Sequence, residues 1–433
     1  MSAPARRAHD RTTTRAQNLA RSPIETKALP SIDFDPGQDS VDDEHDAPFW
    51  KSFVVSSKIL NKHSLLERVA NSLIVLLTKQ KRPRNAKELA KIARMSERVI
   101  RILGENASQL TLQGTNTYLV GTGSSRFLID CSDGRKREYE KNLKKAMRDN
   151  KVDRIEAILI THWHPDHCFG IESVRKCLND YTIQAYKMVR ARKGELAVRK
   201  QKFQKQKHRH YVDIKDGDVF KCEGATLVAM HTPGHAEDHM CFRLENEGAI
   251  FAGDCIMNGS TAEFEDLSAY SMSLDRLLEA FSSANKKNKN YDNYDDCDDR
   301  PIDDRAKCYP SHGDVISDGE RMTEGYLKHR TSRERQFLKE LKTFGEKGAN
   351  VWELAMKVYG KLVGALVFIM SCLKITKQHL EKMRQDGSVT VLQKQKFGIS
   401  MILSYALAIL SLGLLGSTNS TRYVVVMNAN KNE

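Results

Sequence analysis

Three histidines and an aspartate fall within the run Thr161-His162-Trp163-His164-Pro165-Asp166-His167. In an extended chain, residues two apart point to the same side, so His162 and His164 can converge on one ion. The chain then turns at Pro165 and offers Asp166 and His167 to a second ion. Neutral imidazole and carboxylate donors suit Zn²⁺, and they also accept Mn²⁺ or Fe²⁺. With 14 histidines in 433 residues, this spacing is rare by chance, which counts against surface histidines with no common role.

A pair of cations needs further donors, and these belong at the ends of later strands. Three places fit. His231-Thr232-Pro233-Gly234-His235 ends the apolar run Leu227–Met230, and Gly234 lets the backbone turn so that His235 faces the ions. Gly253-Asp254 ends Ala249–Ala252, and one carboxylate there can bridge two cations. Pro310-Ser311-His312-Gly313 follows a short strand at Lys307–Tyr309. Asp166 is the candidate catalytic group, placed to hold a water nucleophile and accept its proton. No Ser-His-Asp arrangement is present.

These donors need a scaffold. Ile155–Thr161, nearly all apolar, reads as a buried strand leading straight into the motif. Thr115–Gly121 and Arg126–Asp130 read as a hairpin. Further strands fit Thr182–Tyr186, Val219–Lys221, Thr226–His231, Met240–Leu244 and Ala249–Ala252. Helices fit Glu138–Asn150, Ile171–Leu178 and Glu320–Phe344. Strands mixed with helices at this spacing predict α/β layers. Apolar residues make up 40% of the chain and charged residues 29%, which excludes a wholly disordered chain, a collagen and a polytopic membrane protein. Nine cysteines without a CxxC pair exclude a disulfide scaffold and a Cys-rich zinc finger.

Around the catalytic domain, expected at 98–345, the composition changes. Residues 1–48 read as a disordered tail. Its first 26 residues carry five arginines and two acids, as in a mitochondrial presequence or a solvated basic tail. The first reading places the protein in the mitochondrial matrix and the second in the cytoplasm. Residues 49–97 read as a helical extension. An acidic insertion is expected at 285–305. At 346–392, helices at Val351–Tyr359, Val363–Leu373 and Lys374–Arg384 precede a strand at Val389–Leu392. This order predicts a winged-helix-like unit or a plain three-helix packing domain. The tail 393–433 holds an 18-residue apolar stretch, 399–416. It reaches the lower limit for a membrane contact or span, and it also reads as a buried helix or a segment with no part in the fold.

Several runs together resemble the metallo-β-lactamase-fold hydrolases, and within them the eukaryotic beta-lactamase-like protein 2 group of the glyoxalase II-like family. They are Leu112–Val120 (LQGTNTYLV), Thr161–His167, Thr232–His235 with Asp238-His239-Met240, Ile250–Ile256 (IFAGDCI) and Phe264–Leu267. The resemblance covers about 98–392. It implies a four-layer αββα sandwich with two Zn²⁺ at one edge between the sheets. It also implies a first cation held by His162, His164 and His235, a second by Asp166, His167 and His312, and Asp254 bridging. Four positions depart from the family pattern. Phe169-Gly170 replaces Gly-Gly, Ala236 a Thr, Ser311 a Gly, and Asp130-Cys131-Ser132 an Asp-Thr-Gly. His239 fits either a group that orients a ligand or touches substrate, or a structural hydrogen-bonded histidine.

The resemblance implies an endoribonuclease acting on single-stranded RNA. Net charge agrees with a polyanionic partner, with 69 Lys and Arg against 56 acids, +13 in all. Lys187–His210 holds ten Lys or Arg and one acid. Arg190, Arg199, Lys200 and Lys202 are candidate phosphate contacts, and Phe203 and Tyr211 could stack bases. The same run also reads as a solvated loop. Two alternatives stand beside the nuclease: a glyoxalase II-like thioester hydrolase, and a non-catalytic membrane-tethered RNA-binding module. Oligomeric state is not legible in the sequence.

Overall fold

The computed structural model describes residues 88–108, 111–190, 211–287, 305–359, 372–394 and 421–425. In chain order the first part holds β1 (Ile92–Arg94), β2 (Val99–Leu103), β3 (Asn116–Val120), β4 (Ser125–Ile129), α1 (Arg137–Asp149), β5 (Arg154–Leu159), α2 (Pro165–Cys168), α3 (Ile171–Leu178), β6 (Gln184–Tyr186) and β7 (Tyr211–Val212). These seven strands form one sheet in sequence order, antiparallel from β1 to β4 and parallel from β4 to β7. Next come β8 (Val219–Cys222), β9 (Ala225–His231), β10 (Met240–Leu244), β11 (Ala249–Gly253), α4 (Leu267–Lys287), β12 (Cys308–Pro310) and α5 (Gly319–Lys342). Their five strands form a second sheet, ordered β12-β11-β10-β9-β8.

Alternation along the strands sets the layers. Tyr118 and Val120 of β3 face the same buried cluster as Leu227 and Ala229 of β9, Phe242 and Leu244 of β10, and Phe251 of β11. This cluster lies between the sheets. The intervening residues face outward. Leu119 and Leu128 pack with Tyr139, Leu143 and Ala146 of α1 and Val174 of α3. Cys241, Ile250 and Ala252 pack with Leu274, Leu277 and Phe281 of α4 and Tyr326 of α5. The result is an αββα sandwich. Each fully buried Leu, Ile or Phe contributes about 1.5–3 kcal/mol, so these layers hold the strand ends rigidly.

The edges of the domain differ from the sequence reading. Ile92–Arg94 lies inside the segment expected to be helical, yet it is a strand, paired through Ile92↔Ile102. The run Ala86–Arg94 is rich in helix formers, and pairing with the buried strand β2 outweighs that local preference. Residues 49–87 and the tail 1–48 lie outside the described residues, as do 288–304 of the acidic insertion. The ends of that insertion are anchored: buried Asn285 accepts from the Ala306 N–H at 2.8 Å, and Arg305 pairs with Asp318.

The C-terminal part holds α6 (Val351–Tyr359), α7 (Leu373–Gln385), β13 (Val389–Lys394) and β14 (Thr421–Val425). Leu354, Val358, Leu380, Met383, Val389 and Tyr423 form a separate cluster with Phe337 and Leu341 of α5. Strand β14 comes from the segment expected to be an apolar tail, and it pairs antiparallel with β13. The expected boundary at 392 therefore falls inside β13 and separates it from its partner strand. The expected helix Val363–Leu373 falls almost wholly outside the described residues, and so does 399–416. Among the described residues, no helix is long and apolar enough to cross a membrane.

Candidate metal centre

Strand β5 ends beside the motif, and the four-residue helix α2 begins at Pro165, so the chain reverses within the ligand run. His162, His164, His235 and Asp254 present donor atoms within 4.8 Å of one another, as do Asp166, His167 and His312. In the first group, His162 Nε2 lies 2.8 Å from His164 Nδ1 and 3.2 Å from His235 Nε2, and His235 Nε2 lies 3.1 Å from His164 Nδ1. In the second, Asp166 Oδ2 lies 3.1 Å from His167 Nε2 and 3.3 Å from His312 Nε2. Asp254 faces both. Its Oδ2 is 3.4 Å from His235 Nε2 and 3.8 Å from His162 Nε2, and its Oδ1 is 3.2 Å from His312 Nε2 and 3.5 Å from His167 Nε2.

These donors fit cations. Tetrahedral zinc with Zn–N near 2.0–2.1 Å separates its donor atoms by about 3.4 Å, the scale of the spacings above. The tautomers agree. His235 Nδ1–H donates to the Glu263 carbonyl at 2.7 Å, which leaves a lone pair on Nε2. Thr161 gives its hydroxyl proton to Asp130 at 3.0 Å, so it accepts from His162 Nδ1 at 3.0 Å, and His162 Nε2 is again a lone pair. Two lone pairs facing each other at 3.2 Å repel unless a cation lies between them. His167 Nε2, His312 Nε2 and Asp254 Oδ1 are also buried without a hydrogen-bond partner among the described residues.

The electrostatics follow the same division. Burial, with His167 and His164 nearby, holds the His162 imidazole well below its usual range. Burial also acts on His167, but Asp166, Asp254 and Asp130 outweigh it and raise that ring well above its usual range. For His312, burial is outweighed by Asp254 and Asp166, which lift it to about 9. Burial would raise Asp254, yet His312 and His167 hold it well below the carboxylate range.

Supporting groups tie the ligand loops together. Asp130 accepts from His167 Nδ1 at 2.8 Å, from the Thr161 N–H at 2.9 Å and from Ser311 Oγ at 3.2 Å. Ser311, one of the departures from the family pattern, thus joins the loop of His312 to the same carboxylate. Asn116 of β3 donates to the carbonyls of Pro310 and Gly313, both at 2.8 Å, and Tyr118 donates to Pro310 at 2.6 Å. Thr115 donates to Asp166 at 3.3 Å. Asp130 and Asn116 were not among the candidate site residues read from sequence, although an aspartate closing the apolar run Phe127-Leu128-Ile129 was a usable signal. Gly253 has φ +55°, and a Cβ there would come within 2.4 Å of His239 Nε2. Only glycine lets the strand bring Asp254 this close to that ring.

A family model for the metallo-beta-lactamase superfamily matches residues 110–309. The chain is 34% identical over 299 residues to a beta-lactamase-like protein 2 homolog from Caenorhabditis elegans, covering 69% of this chain and 88% of that protein. The chain belongs to the metallo-beta-lactamase superfamily. It is also 33% identical over 312 residues to an atrochrysone carboxyl ACP thioesterase from a Cryptosporiopsis species, covering 70% of this chain and 84% of that protein. A solved beta-lactamase domain protein from Burkholderia ambifaria shares the fold, with a TM-score of 0.52 at 14% identity, covering 79% of this chain and 96% of that one.

All seven side chains expected from the sequence as ligands fall into these two groups. His239 is fully buried beneath Asp254 and is not open to substrate. Its Nε2 accepts from the Asp254 N–H at 3.1 Å, and its Nδ1 donates to Thr232 at 2.9 Å, so it holds the Asp254 backbone in place. Two members of the basic run are engaged inside the protein. Lys187 is buried against Asp238 at 2.6 Å, and Arg190 pairs with Glu265 at 2.9 Å while its guanidinium lies 4.8 Å from the Trp163 ring centre. Arg190 is thus a structural ion pair where the sequence suggested a phosphate contact. Arg199, Lys200 and Lys202 lie outside the described residues.

Proposed function

We propose that this chain is a dinuclear metal-dependent hydrolase that cleaves single-stranded RNA. The observation that carries the hydrolase reading is Asp254, whose two oxygens face two separate ligand groups. Divalent cations, if held by those groups, would supply a water nucleophile near neutral pH and offset charge on the substrate oxygens. The chain's own residues do the rest. His162 Nε2 and His235 Nε2 offer lone pairs beside His164 Nδ1. Asp130, the Glu263 carbonyl and Thr161 hold the rings at fixed tautomers. The Asp166 side chain is 10% exposed, more than those of His162, His167, His312 or Asp254, so it lies nearest to entering solvent. Thr115 fixes its carboxylate, which is placed to orient the nucleophile and take its proton.

The RNA reading is supported by the net charge of +13 and by the basic run between the ligand motifs. The stem of that run is pinned at the metal centre, because Arg190 lies against Trp163, which stands between two ligands. A thioester reading has its own support, in the name of the fungal thioesterase relative. Purified protein should therefore be loaded with metal and assayed on labelled single-stranded RNA and on an acyl thioester. Cleavage of RNA that falls steeply with salt is expected. Salt-insensitive thioester turnover without RNA cleavage would overturn the nuclease reading, and no turnover of either would overturn the enzyme.

A further inference from the structure

The loop Glu263–Leu267 joins the first ligand group to the C-terminal helices. On one side it meets the loop of His235. The Glu263 carbonyl accepts from His235 Nδ1 at 2.7 Å, and the N–H groups of Glu265 and Asp266 both donate to the Gly234 carbonyl, at 2.6 and 3.1 Å. On the other side it meets α7. Gln378 Nε2 donates to the Glu265 carbonyl at 2.8 Å, and Gln378 Oε1 accepts from the Leu267 N–H at 3.4 Å. One side-chain amide thus grips the middle and the C-terminal end of the short stretch that carries the His235 contacts. A second contact, Ser268 with Gln385 at 2.5 Å, crosses the same interface but does not touch Glu263–Leu267.

We infer that Gln378 is a positioning residue for His235, and that through it the C-terminal helical unit sets cation affinity at the His162–His164–His235 group. This rests on the metal-centre reading above. The physical reason is geometric. The partner that fixes a ligand histidine's tautomer is here a backbone carbonyl, which cannot be adjusted by its own rotamer. Its position is inherited from whatever holds its loop. Gln378 holds Glu265 two residues away, in a loop already bonded to Gly234, the neighbour of the ligand. The second group, Asp166, His167 and His312, takes its support from Asp130, Asn116 and Thr115. Among the described residues no hydrogen bond or ion pair joins these three to Glu263–Leu267, so the effect should be confined to one cation.

The test is stepwise Co²⁺ titration of the metal-free full chain, followed by absorption, with Gln378→Glu, Gln378→Ala and Ser268→Ala. Gln378→Glu keeps the acceptor for Leu267 and loses the donor to Glu265. Thermal unfolding of each metal-free variant reports folding. Removing a group that orients a metal-ligating histidine costs about 10–100-fold in affinity. Gln378 acts one bond further out, so both of its variants should weaken one of the two equivalents on the order of 10-fold, leaving the other unchanged. Ser268→Ala should leave both unchanged. Equal weakening of both equivalents, no weakening, or the same effect in Ser268→Ala would overturn the inference while leaving the metal centre standing. Failure of the unsubstituted chain to bind two equivalents would refute the metal centre itself. If Gln378→Ala unfolds, Gln378→Glu still decides the matter.

Discussion

Asp130→Asn is the sharpest probe of how the second cation group is held. Oδ1 of the carboxylate accepts from the Thr161 N–H and Oδ2 from His167 Nδ1, with the Thr161 hydroxyl within reach of both oxygens, and both Asp130 and His167 are fully buried. An asparagine can keep its oxygen toward Thr161, which presents two donors, an N–H at 2.9 Å and a hydroxyl at 3.1 Å. Its amide NH₂ then faces His167 Nδ1. That nitrogen must accept, so the ring proton moves to Nε2, the atom that faces Asp166 and Asp254. The lone pair for the second cation is lost unless the proton is displaced. Loss of such an orienting partner costs about 10–100-fold in metal affinity, or about 1.4–2.7 kcal/mol. The metal-free fold should also lose stability, by up to the about 3–5 kcal/mol expected when a buried ion pair is stripped of one partner. Competition against a chelator at pH 7 separates the two equivalents. A second equivalent bound with unchanged affinity in Asp130→Asn would refute the reasoning.

Other perturbations follow from the same geometry. Asp166→Ala should lower turnover on the order of 10²–10⁴-fold with the fold retained by circular dichroism; full activity would remove Asp166 from the mechanism. In the metal-free protein His312 is raised to about 9, so it is charged at pH 7 and stabilises the fold below the unfolded value near 6.5, a contribution lost as pH rises through about 9. A cation must displace that proton. Affinity for the second equivalent should therefore climb with pH, about tenfold per unit for each proton displaced, and isothermal titration giving equal affinity at pH 6.5 and 8.5 would contradict it. Neutralising Arg199, Lys200 and Lys202 together should weaken RNA binding and flatten the plot of log affinity against log salt by about 0.7 per lost phosphate contact; an unchanged slope in filter binding would separate these residues from RNA.

Period and spacing made much of the sandwich legible. The runs Ile155–Thr161 and Met240–Leu244 read as strands because nearly every side chain is apolar, and both are buried on two faces in the structure. Helix α4 carried a readable signal that went unused, with Leu267, Tyr270, Leu274, Leu277 and Phe281 recurring at helical spacing on its buried face. Strand β14 was obscured by the long apolar stretch before it, although Tyr423-Val424-Val425 has the β-branched and aromatic character of a strand. Strand β1 could not be read at all. Its local preference is helical, and only the partner strand β2 overrides it.

The donors themselves were fixed by sequence. HxHxDH, together with a histidine or aspartate at each of three later strand ends, specifies which atoms can bind cations, because donor chemistry belongs to the side chain alone. Which donors share a cation, what holds each ring at its tautomer, and whether a basic residue faces substrate or a buried carboxylate are properties of distance between segments far apart in the chain. Asp130 meeting Ser311, Asp254 resting on His239, and Arg190 turning inward to Glu265 exist only once two sheets have packed and brought their ends to one edge.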